Sequence, residues 1–328
     1  MITPLLVAFL TSTVFSLIFT RIRGHWQILD IPNYRSLHSR PTPRTGGIAI
    51  LLGGGGGLLL TRFLEGYLIT SLPLLATILI LALVALLDDR HSLGAGLRLL
   101  IQVSTILIML ILQPTPVPDT MVSIVTLLFL VWMINLYNFM DGMDGFAGGM
   151  AIIGFGTFAL LAWQAGNMEF ALGCAIIVAS CLGFLLLNFP PARLFMGDVG
   201  ATVLGLLAGI VILKAHIEAI LPFWLGLLVF SPFIVDASVT LATRMLRGEK
   251  FWQPHKTHYY QKLVQIGWGH KRTVLAEYAL MIACGTSAVA AAPQPLTLQT
   301  TIIAGWAVIY VILIYLIHRT AQHREPPA

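Results

Sequence analysis

Charged residues are scarce in this sequence. Asp, Glu, Lys and Arg make up only 10% of the 328 residues, whereas hydrophobic residues make up 57%. A soluble globular domain carries about 25% charged residues, so this chain lacks the polar groups needed to cover a surface in water. The mean hydropathy of +0.88 agrees with this conclusion. We therefore expect the chain to fold in a lipid bilayer, surrounded by membrane lipid.

Cysteine is also rare, and its positions exclude the common metal-binding patterns. Cys174, Cys181 and Cys284 each lie in an apolar stretch, and no C-x-x-C pair or Cys/His spacing typical of a zinc site occurs. We interpret the three as small packing residues. The N-terminus lacks the positive region of a signal peptide, because Arg21 and Arg23 follow the first apolar run. That run is predicted to be a retained helix.

No soluble domain, internal repeat or low-complexity linker separates the apolar segments. Residues 1–328 are predicted to form a single integral-membrane domain, with a short polar tail at 318–328. A transmembrane helix needs about 20 mostly apolar residues. On this criterion the chain is an all-α polytopic membrane protein of 10 or 11 spans, at 3–20, 46–61, 68–87, 97–113, 120–138, 147–165, 169–187, 199–213, 219–241, 274–292 and 298–317.

The positions of the basic residues predict the orientation of these spans. If the N-terminus is periplasmic and the segments alternate, all but two of the 19 Lys and Arg residues fall on the cytoplasmic side, the exceptions being Arg62 and Lys214. The positive-inside rule then gives a cytoplasmic C-terminus. It also accounts for the net charge of +5 without a nucleic-acid partner. In this topology five acids lie at cytoplasmic helix ends: Asp88, Asp89, Asp141, Asp144 and Asp198.

The first motif is the acidic pair Asp88-Asp89 at the inner end of the third predicted span. Adjacent carboxylates repel each other, and carboxylate together with phosphate oxygen is the environment that Mg²⁺ prefers. The alternative is a helix end neutralised by Arg90 or Arg98. This motif alone does not decide between the two interpretations.

The second motif follows the fifth predicted span. Asn135 and Asn138 are followed by Asp141 and Asp144, and the two acids are three residues apart, so they share one face if the segment is helical. Gly142 and Gly145 permit tight turns or a close approach of the backbone to a ligand. We favour a ligand site over the alternative, a capped loop.

The third motif joins the seventh and eighth predicted spans. Pro190 and Pro191 follow Asn188, and Gly197-Asp198 opens the next helix. Asp198 would serve as a simple helix cap. A helix N-terminus is also an anion site, to which the acid would bring Mg²⁺. Beside the other two acidic motifs, we favour the second interpretation.

The longest inside loop, residues 242–273, contains His255 and His258 together with tyrosine, glutamine and lysine. Such basic and aromatic side chains are suited to hold a nucleotide diphosphate by charge and stacking. Asp236 precedes this loop within the ninth predicted span. An intramembrane acid is either functional or paired, and we favour a structural partner for Asp236, with Arg244 nearby.

A further polar segment, residues 38–47, precedes the second predicted span. Its prolines stiffen the entry to the helix, and Arg44 is placed to meet a phosphate. The glycine run at 53–57 is not a phosphate-binding loop, because no Gly-Lys-Ser/Thr follows it. We expect close helix packing or a lipid-facing groove there instead.

Together these motifs resemble the polyprenyl-phosphate N-acetylhexosamine-1-phosphate transferase family, part of glycosyltransferase family 4. That family includes the translocase that makes peptidoglycan lipid I and the enzymes that start O-antigen synthesis. The resemblance covers roughly residues 35–275: PTPRTGG, LDDR, NxxNxxDGxDG, NxPPAxxFMGDxG and a histidine-containing last loop, in the family's order. It implies an enzyme of the bacterial inner membrane that transfers a sugar 1-phosphate from a UDP-N-acetyl sugar to undecaprenyl phosphate and releases UMP.

The resemblance also implies roles for individual residues. Asp198 is similar to the family's Mg²⁺ ligand, with Mn²⁺ as a substitute metal. The catalytic residues it implies are Asp88 and Asp89, which engage the metal or activate the lipid phosphate, together with Asp141 and Asp144. The implied substrate-binding residues are Asn138, Asn188, Arg98, Arg44, His255 and His258. Direct attack and an aspartyl intermediate are both compatible with this set, and a homodimer is compatible with the family.

The last loop departs from the family pattern. Many relatives carry HxHH, whereas this chain has His258-Tyr259-Tyr260-Gln261. This form resembles the O-antigen-initiating branch that uses UDP-N-acetylfucosamine or related sugars, so GlcNAc, FucNAc and QuiNAc are all candidate donors. The lipid I translocase is the less favoured alternative, because its triple-histidine run is absent.

Two other functions fit the sequence less well. A CDP-alcohol phosphatidyltransferase would need further acids soon after Asp144, yet the next acid is Glu169. A secondary transporter places ionisable residues near the midplane in two related halves. Here the acids cluster at one face, only Asp236 lies deep, and no repeat occurs.

Overall fold

The fold was analysed in a computed structural model, which describes residues 2–22, 28–32, 36–67, 70–112, 119–249 and 255–322. Apart from two short strands, the regular structure in these ranges is helical. The helices are α1 Ile2–Arg21, α2 Gly46–Glu65, α3 Leu72–His91, α4 Ala95–Leu112, α5 Thr120–Met140, α6 Phe146–Gln164, α7 Met168–Asn188, α8 Gly197–Ile217, α9 Phe223–Val229, α10 Ser231–Leu246, α11 Tyr259–Leu263, α12 Gly269–Ala291 and α13 Leu296–Gln322. A π-helical turn, Val264–Trp268, joins α11 to α12. The strands β1 Leu29–Asp30 and β2 Thr42–Pro43 pair antiparallel.

Ten spans in the described residues are long and apolar enough to cross a bilayer, the last two of which are the continuous run of α11 to α12 and α13. The bent pair α9 and α10 passes the same test when taken together. The prediction of an all-α protein with 10 or 11 spans is therefore confirmed. Helices of this length can cross the hydrocarbon core, and their internal hydrogen bonds satisfy the backbone N–H and C=O groups that lipid cannot.

Two predicted elements differ from the structure. The ninth predicted span, 219–241, is broken at Phe230, where α9 and α10 meet at an angle of 84°. Pro232 lies in the first turn of α10, where its missing N–H costs nothing. The last predicted span, 298–317, ends earlier than the helix does, because α13 continues to Gln322 and so includes the first residues of the predicted polar tail. Residues 323–328 of that tail lie outside the described residues.

The glycine run of α2 packs closely against its neighbours, as predicted. A Cβ atom added at Gly53 would lie 2.6 Å from the carbonyl oxygen of Ala8 in α1. One added at Gly57 would lie 2.9 Å from a methyl group of Ile176 in α7. Gly54 and Gly55, which lie between them, border an apolar cavity of about 490 Å³ between α2, α3, α7 and α8. Small residues thus serve both close packing and an apolar groove.

A backbone contact between α2 and α8 positions the polar end of the bundle. A Cβ atom added at Gly47 would lie only 2.1 Å from the backbone nitrogen of Gly200. Gly47 N donates to the carbonyl oxygen of Met196 at 2.7 Å, and Phe195 N donates to that of Pro43 at 2.7 Å. The start of α8 is therefore fixed against β2 and the start of α2.

The core carries no disulfide among the described residues. Cys174, Cys181 and Cys284 are buried free thiols, which agrees with their interpretation as packing residues. Aromatic rings pack near the polar end: Phe146 contacts Phe233 and Tyr260, with ring centroids 4.7 and 4.8 Å apart. This packing supports the loop after α5.

Candidate active site

Three acids and two arginines meet where α3 ends and where α2, α4 and α8 begin. Nη1 of Arg98 lies 2.6 Å from Oδ2 of Asp88 and 3.6 Å from Oδ2 of Asp198. The other oxygen of Asp88 accepts a hydrogen bond from Leu93 N at 2.6 Å. Arg98 therefore joins two of the predicted acids, and Asp88 uses both of its oxygens in contacts within the protein.

Asp89 is held by Arg44. Nε of Arg44 lies 3.2 Å from Oδ1 of Asp89, and Nη2 of the same guanidinium donates to the backbone carbonyl of Asp89. The backbone nitrogen of Asp198 approaches Oδ1 of Asp89 at 3.5 Å. Oδ2 of Asp89 is buried and has no hydrogen-bond partner among the described residues. A buried acceptor left unpaired is costly, so this oxygen is available to a cation or a donor group.

Glycine is required at position 197. Its φ is +72°, a conformation that side chains rarely adopt. A Cβ atom there would lie 2.3 Å from the carbonyl oxygen of Arg44 and 3.0 Å from Oδ2 of Asp89. Among the described residues α8 has no side-chain cap, so the interpretation of Asp198 as a simple cap is not supported. Its carboxylate turns toward Arg98 instead.

A polar cavity of about 140 Å³ opens beside this cluster. It brings together residues that are far apart in the sequence, and most of them were singled out by the sequence motifs. The lining residues are Asp30, His38, Arg44, Asn138, Asp141, Gly142, Met143, Asp144, Asn188, Phe195, Gly197, Asp198 and His270.

Asp141 follows the last residue of α5 and faces this cavity. Burial raises its pKa well above the ordinary range of a carboxyl group, and the neighbouring carboxylates of Asp198, Asp89 and Asp30 raise it further. The negative charges of these three acids thus oppose ionisation of the Asp141 carboxyl group. Any cation that binds among them would relieve this repulsion.

Asn188 shapes the cavity by bracing two loops. Its Oδ1 accepts from Gly145 N at 3.0 Å, and its Nδ2 donates to the carbonyl oxygen of Leu194 at 2.9 Å. Gly145 has a φ of +74°, which explains why glycine ends this motif. The side chain of Asn188 thus joins the loop after α5 to the loop before α8.

Asp144 is held at both oxygens. Oδ1 lies 3.1 Å from Nδ1 of His270, and Oδ2 accepts a hydrogen bond from Ala192 N at 3.0 Å. His270 belongs to no motif and was missed by the sequence analysis. Asp30 was missed as well; it lies 4.0 Å from His38, the first residue of the predicted polar segment 38–47, and both line the same cavity. A single histidine or aspartate carries no signal in a sequence, and only the fold brings these side chains to the site.

The last loop is organised around Asp236. Oδ1 of Asp236 accepts from Nδ1 of His258 and from Tyr259 N, both at 3.0 Å, and Oδ2 accepts from Tyr260 N at 3.0 Å. The favoured interpretation of Asp236 as a structural partner agrees with these contacts. The expected partner Arg244 is instead 2.9 Å from Glu249.

Neither histidine of the last loop lines the polar cavity. His258 is only 2% exposed and is held by Asp236. The His255 ring lies 4.9 Å from the His258 ring, and its Nδ1 is 3.0 Å from Oγ1 of Thr257. Burial lowers the pKa of His255 to about 4, and the charges of His258 and Arg244 lower it as well. His255 is therefore neutral at pH 7.

Comparison with known proteins gives matches along most of the chain. The model of glycosyl transferase family 4 matches residues 71–216. A probable undecaprenyl-phosphate N-acetylglucosaminyl 1-phosphate transferase of Bacillus subtilis is 28% identical over 330 residues, covering 95% of this chain and 90% of the relative. A decaprenyl-phosphate N-acetylglucosaminephosphotransferase of Mycolicibacterium smegmatis is 30% identical over 330 residues, covering 87% of this chain and 80% of the relative.

A more distant class of relative matches a shorter stretch. A phospho-N-acetylmuramoyl-pentapeptide-transferase of Geobacillus thermodenitrificans is 33% identical over 132 residues, which is 40% of each chain. The full-length matches, the apolar helices and the acidic motifs agree with one another. The chain therefore belongs to the polyprenyl-phosphate N-acetylhexosamine-1-phosphate transferase family, within glycosyl transferase family 4, and is a multi-pass membrane phosphoglycosyl transferase.

Proposed function

We propose that this enzyme transfers an N-acetylhexosamine 1-phosphate from a UDP-sugar to undecaprenyl phosphate, releases UMP, and begins the synthesis of an O-antigen or another envelope polysaccharide. Two of the relatives described above are named for the transfer of N-acetylglucosamine 1-phosphate, so UDP-N-acetylglucosamine is the first donor to test. The departure of the last loop from HxHH keeps FucNAc and QuiNAc as further candidates.

One observation carries this proposal. Arg44 and Arg98 reach the acids of α3 and α8 at the same end of the bundle where the polar cavity opens. A transfer between two phosphates must bring two anions together, which requires fixed cations at the meeting point. The two guanidinium groups are held in place by carboxylates and remain partly exposed, at 27% and 36%.

The residues present fit Mg²⁺ bound together with substrate. Asp198 and Asp141 face the cavity, and Oδ2 of Asp89 is buried with no hydrogen-bond partner in the ranges that the structure describes. Among the described residues, no three acidic, histidine or cysteine side chains converge as a preformed metal cage requires. Mg²⁺ commonly uses one or two carboxylates and takes its remaining ligands from phosphate and water. We propose Asp198 as its main protein ligand.

In the proposed reaction, an oxygen of the lipid phosphate attacks the β-phosphorus of the donor. The bond from that phosphorus to the oxygen of UMP breaks, and UMP leaves with the electron pair. Bound Mg²⁺ would cancel charge between the two reacting anions. Arg98 would hold the lipid phosphate beside Asp198, while Asp88 orients Arg98 with an oxygen 2.6 Å away. Asn188 and Asp144 would hold the loop after α5 against the loop before α8, where the donor would bind.

We place this site on the cytoplasmic face of a bacterial inner membrane. The support is the distribution of Lys and Arg, which puts Arg62 and Lys214 alone on the opposite side. The N-terminus would then be periplasmic and the C-terminus cytoplasmic. A UDP-sugar is a cytoplasmic metabolite, so this orientation gives the cavity access to its donor.

The test is incubation of purified protein with undecaprenyl phosphate, Mg²⁺ and a panel of UDP-N-acetyl sugars. We expect UMP release, an equal amount of lipid-linked sugar, loss of both with EDTA, and recovery with Mg²⁺ or Mn²⁺. Folded protein that releases no UMP with any donor would contradict the proposal.

Asp198→Asn tests the metal role directly. We expect it to abolish UMP release while the protein remains folded in the membrane, because an amide is a poor Mg²⁺ ligand. Asp119→Asn is the matched control: Asp119 caps the opposite end of α5, and Asn caps equally well. Near-normal turnover by Asp198→Asn would refute the metal role.

A further inference from the structure

His270 stands at the start of α12 with an acceptor at each ring nitrogen. Nδ1 lies 3.1 Å from Oδ1 of Asp144, and Nε2 lies 3.2 Å from the carbonyl oxygen of Leu37. The first contact is an ion pair rather than an aligned hydrogen bond. The ring also lines the polar cavity. Among the described residues of α12, His270 alone lines this cavity.

These two contacts determine the charge of the ring. A neutral imidazole has one N–H and one lone pair. With the proton on Nε2, the lone pair of Nδ1 would face a carboxylate oxygen at 3.1 Å; with the proton on Nδ1, the lone pair of Nε2 would face the Leu37 carbonyl at 3.2 Å. Both arrangements are repulsive. The imidazolium donates from Nε2 to the carbonyl oxygen of Leu37 and places its positive charge 3.1 Å from Oδ1 of Asp144, so both contacts become favourable.

The same contacts join four parts of the chain. Asp144 belongs to the loop after α5, and its other oxygen accepts from Ala192 N in the loop before α8. Leu37 lies in the segment that leads to Arg44, and His270 itself belongs to α12. The His270 side chain thus links the loop after α5, and through Asp144 the loop before α8, to the segment that leads to Arg44.

The charge of the ring also suits the cavity. Its walls carry the acidic side chains of Asp30, Asp141 and Asp198, against the guanidinium of Arg44. His38 lies in the same wall, with its ring against Phe195 and its nearest carboxylate 4.0 Å away. His270 is the histidine of the cavity that is paired closely with an acid.

We propose that His270 is a positively charged positioning residue that holds the donor-binding wall of the cavity together through Asp144 and Leu37. This inference rests on the proposed function, because it takes the diphosphate of a UDP-sugar as the anion that the wall receives. The two histidines of the last loop do not line the cavity, so His270 supplies the positive charge on the α12 side.

The experiment measures KM for UDP-N-acetylglucosamine, or for whichever UDP-sugar the wild-type protein turns over, and KM for undecaprenyl phosphate. The variants are His270→Gln, Asp144→Asn and the double variant, each with a melting temperature. We expect His270→Gln to raise the donor KM about tenfold, the size of a lost charge-assisted contact, with the acceptor KM changed less than twofold. The double variant should be no worse than Asp144→Asn, because the two residues act as one unit.

Lys271→Gln is the matched control, because it removes one positive charge from the adjacent exposed position of the same helix. It should leave both KM values unchanged. A His270→Gln protein that loses kcat and melting temperature while both KM values stay within twofold of wild type would overturn the inference, since His270 would then serve folding alone. Absence of UMP release by the wild-type protein would instead refute the proposed function.

Discussion

Asp236→Asn separates structural from catalytic work in the last loop. Oδ1 of Asp236 accepts from His258, Tyr259 and Thr240, whereas within the described part of the chain Oδ2 accepts only from the backbone nitrogen of Tyr260. The substitution keeps the size of the side chain and one oxygen. If that oxygen takes the place of Oδ1, the new NH₂ group faces Tyr260 N, and two donors meet.

The magnitude follows from these contacts. A hydrogen bond to a charged group contributes about 1.5–3 kcal/mol, and a buried donor left unpaired costs about 1–3 kcal/mol more. We therefore expect the free energy of unfolding to fall by about 3 kcal/mol. For a chain of this size that corresponds to a melting temperature lowered by ~5 °C or more.

The three buried cysteines provide the assay. Cys174, Cys181 and Cys284 are at most 3% exposed, so a thiol-reactive dye reports their exposure as detergent-solubilised protein unfolds. Glu169→Gln removes one acid from the first turn of α7 and serves as the control. UMP release by the folded fraction is measured in parallel.

We expect Asp236→Asn to lower the melting temperature more than it lowers the rate of UMP release by the folded fraction. A variant that melts at the wild-type temperature and yet releases no UMP would refute the reasoning, because Asp236 would then act in the chemistry and not in holding α11.

Two further predictions follow from the geometry of the site. Gly197→Ala should lower UMP release more than tenfold, because a left-handed alanine costs about 1–2 kcal/mol and its Cβ would displace the Arg44 carbonyl 2.3 Å away. Gly305→Ala, where a Cβ meets nothing within 4 Å, is the control; equal activity of both variants would contradict this prediction. The lowered pKa of His255, about 4 against an ordinary 6.5, means that the folded state binds this proton less well than the unfolded chain. As the pH falls from about 6.5 to 4, the unfolded chain binds this proton before the folded protein does, so the free energy of unfolding decreases. His255→Gln lacks this titrating group and should show a smaller drop in melting temperature over that interval. An unchanged drop would show that the ring is not buried as described.

The membrane helices were predictable from the sequence because each is a run of about 20 apolar residues. The break at Phe230 was not, since Pro232 in an apolar run also occurs in unbroken transmembrane helices, where neighbours satisfy the freed backbone groups. Its position is decided by the packing of Phe230 against Phe155 and Phe158. That packing is a tertiary property with no local signature.

The acids of the site were predictable for a different reason. Alternating spans carry Asp88, Asp141 and Asp198 to the same end of the bundle, so their convergence follows from topology. The role of His258 did not follow, because its burial depends on Asp236, 22 residues away. His270 could not be found at all, since nothing in its neighbourhood distinguishes it from a surface histidine.

The backbone contact at Gly47 and Gly200 bears on how this enzyme can diversify. Arg44 and Asp198 share one rigid support, so a substitution that shifts one carries the other with it. The wall that contains Asp144 and His270 is instead joined through side chains, and a substitution there need not move the backbone of Arg44 or Asp198. New donor sugars are therefore expected to be accommodated by changes in that wall, while the support that carries Arg44 and Asp198 is inherited unchanged.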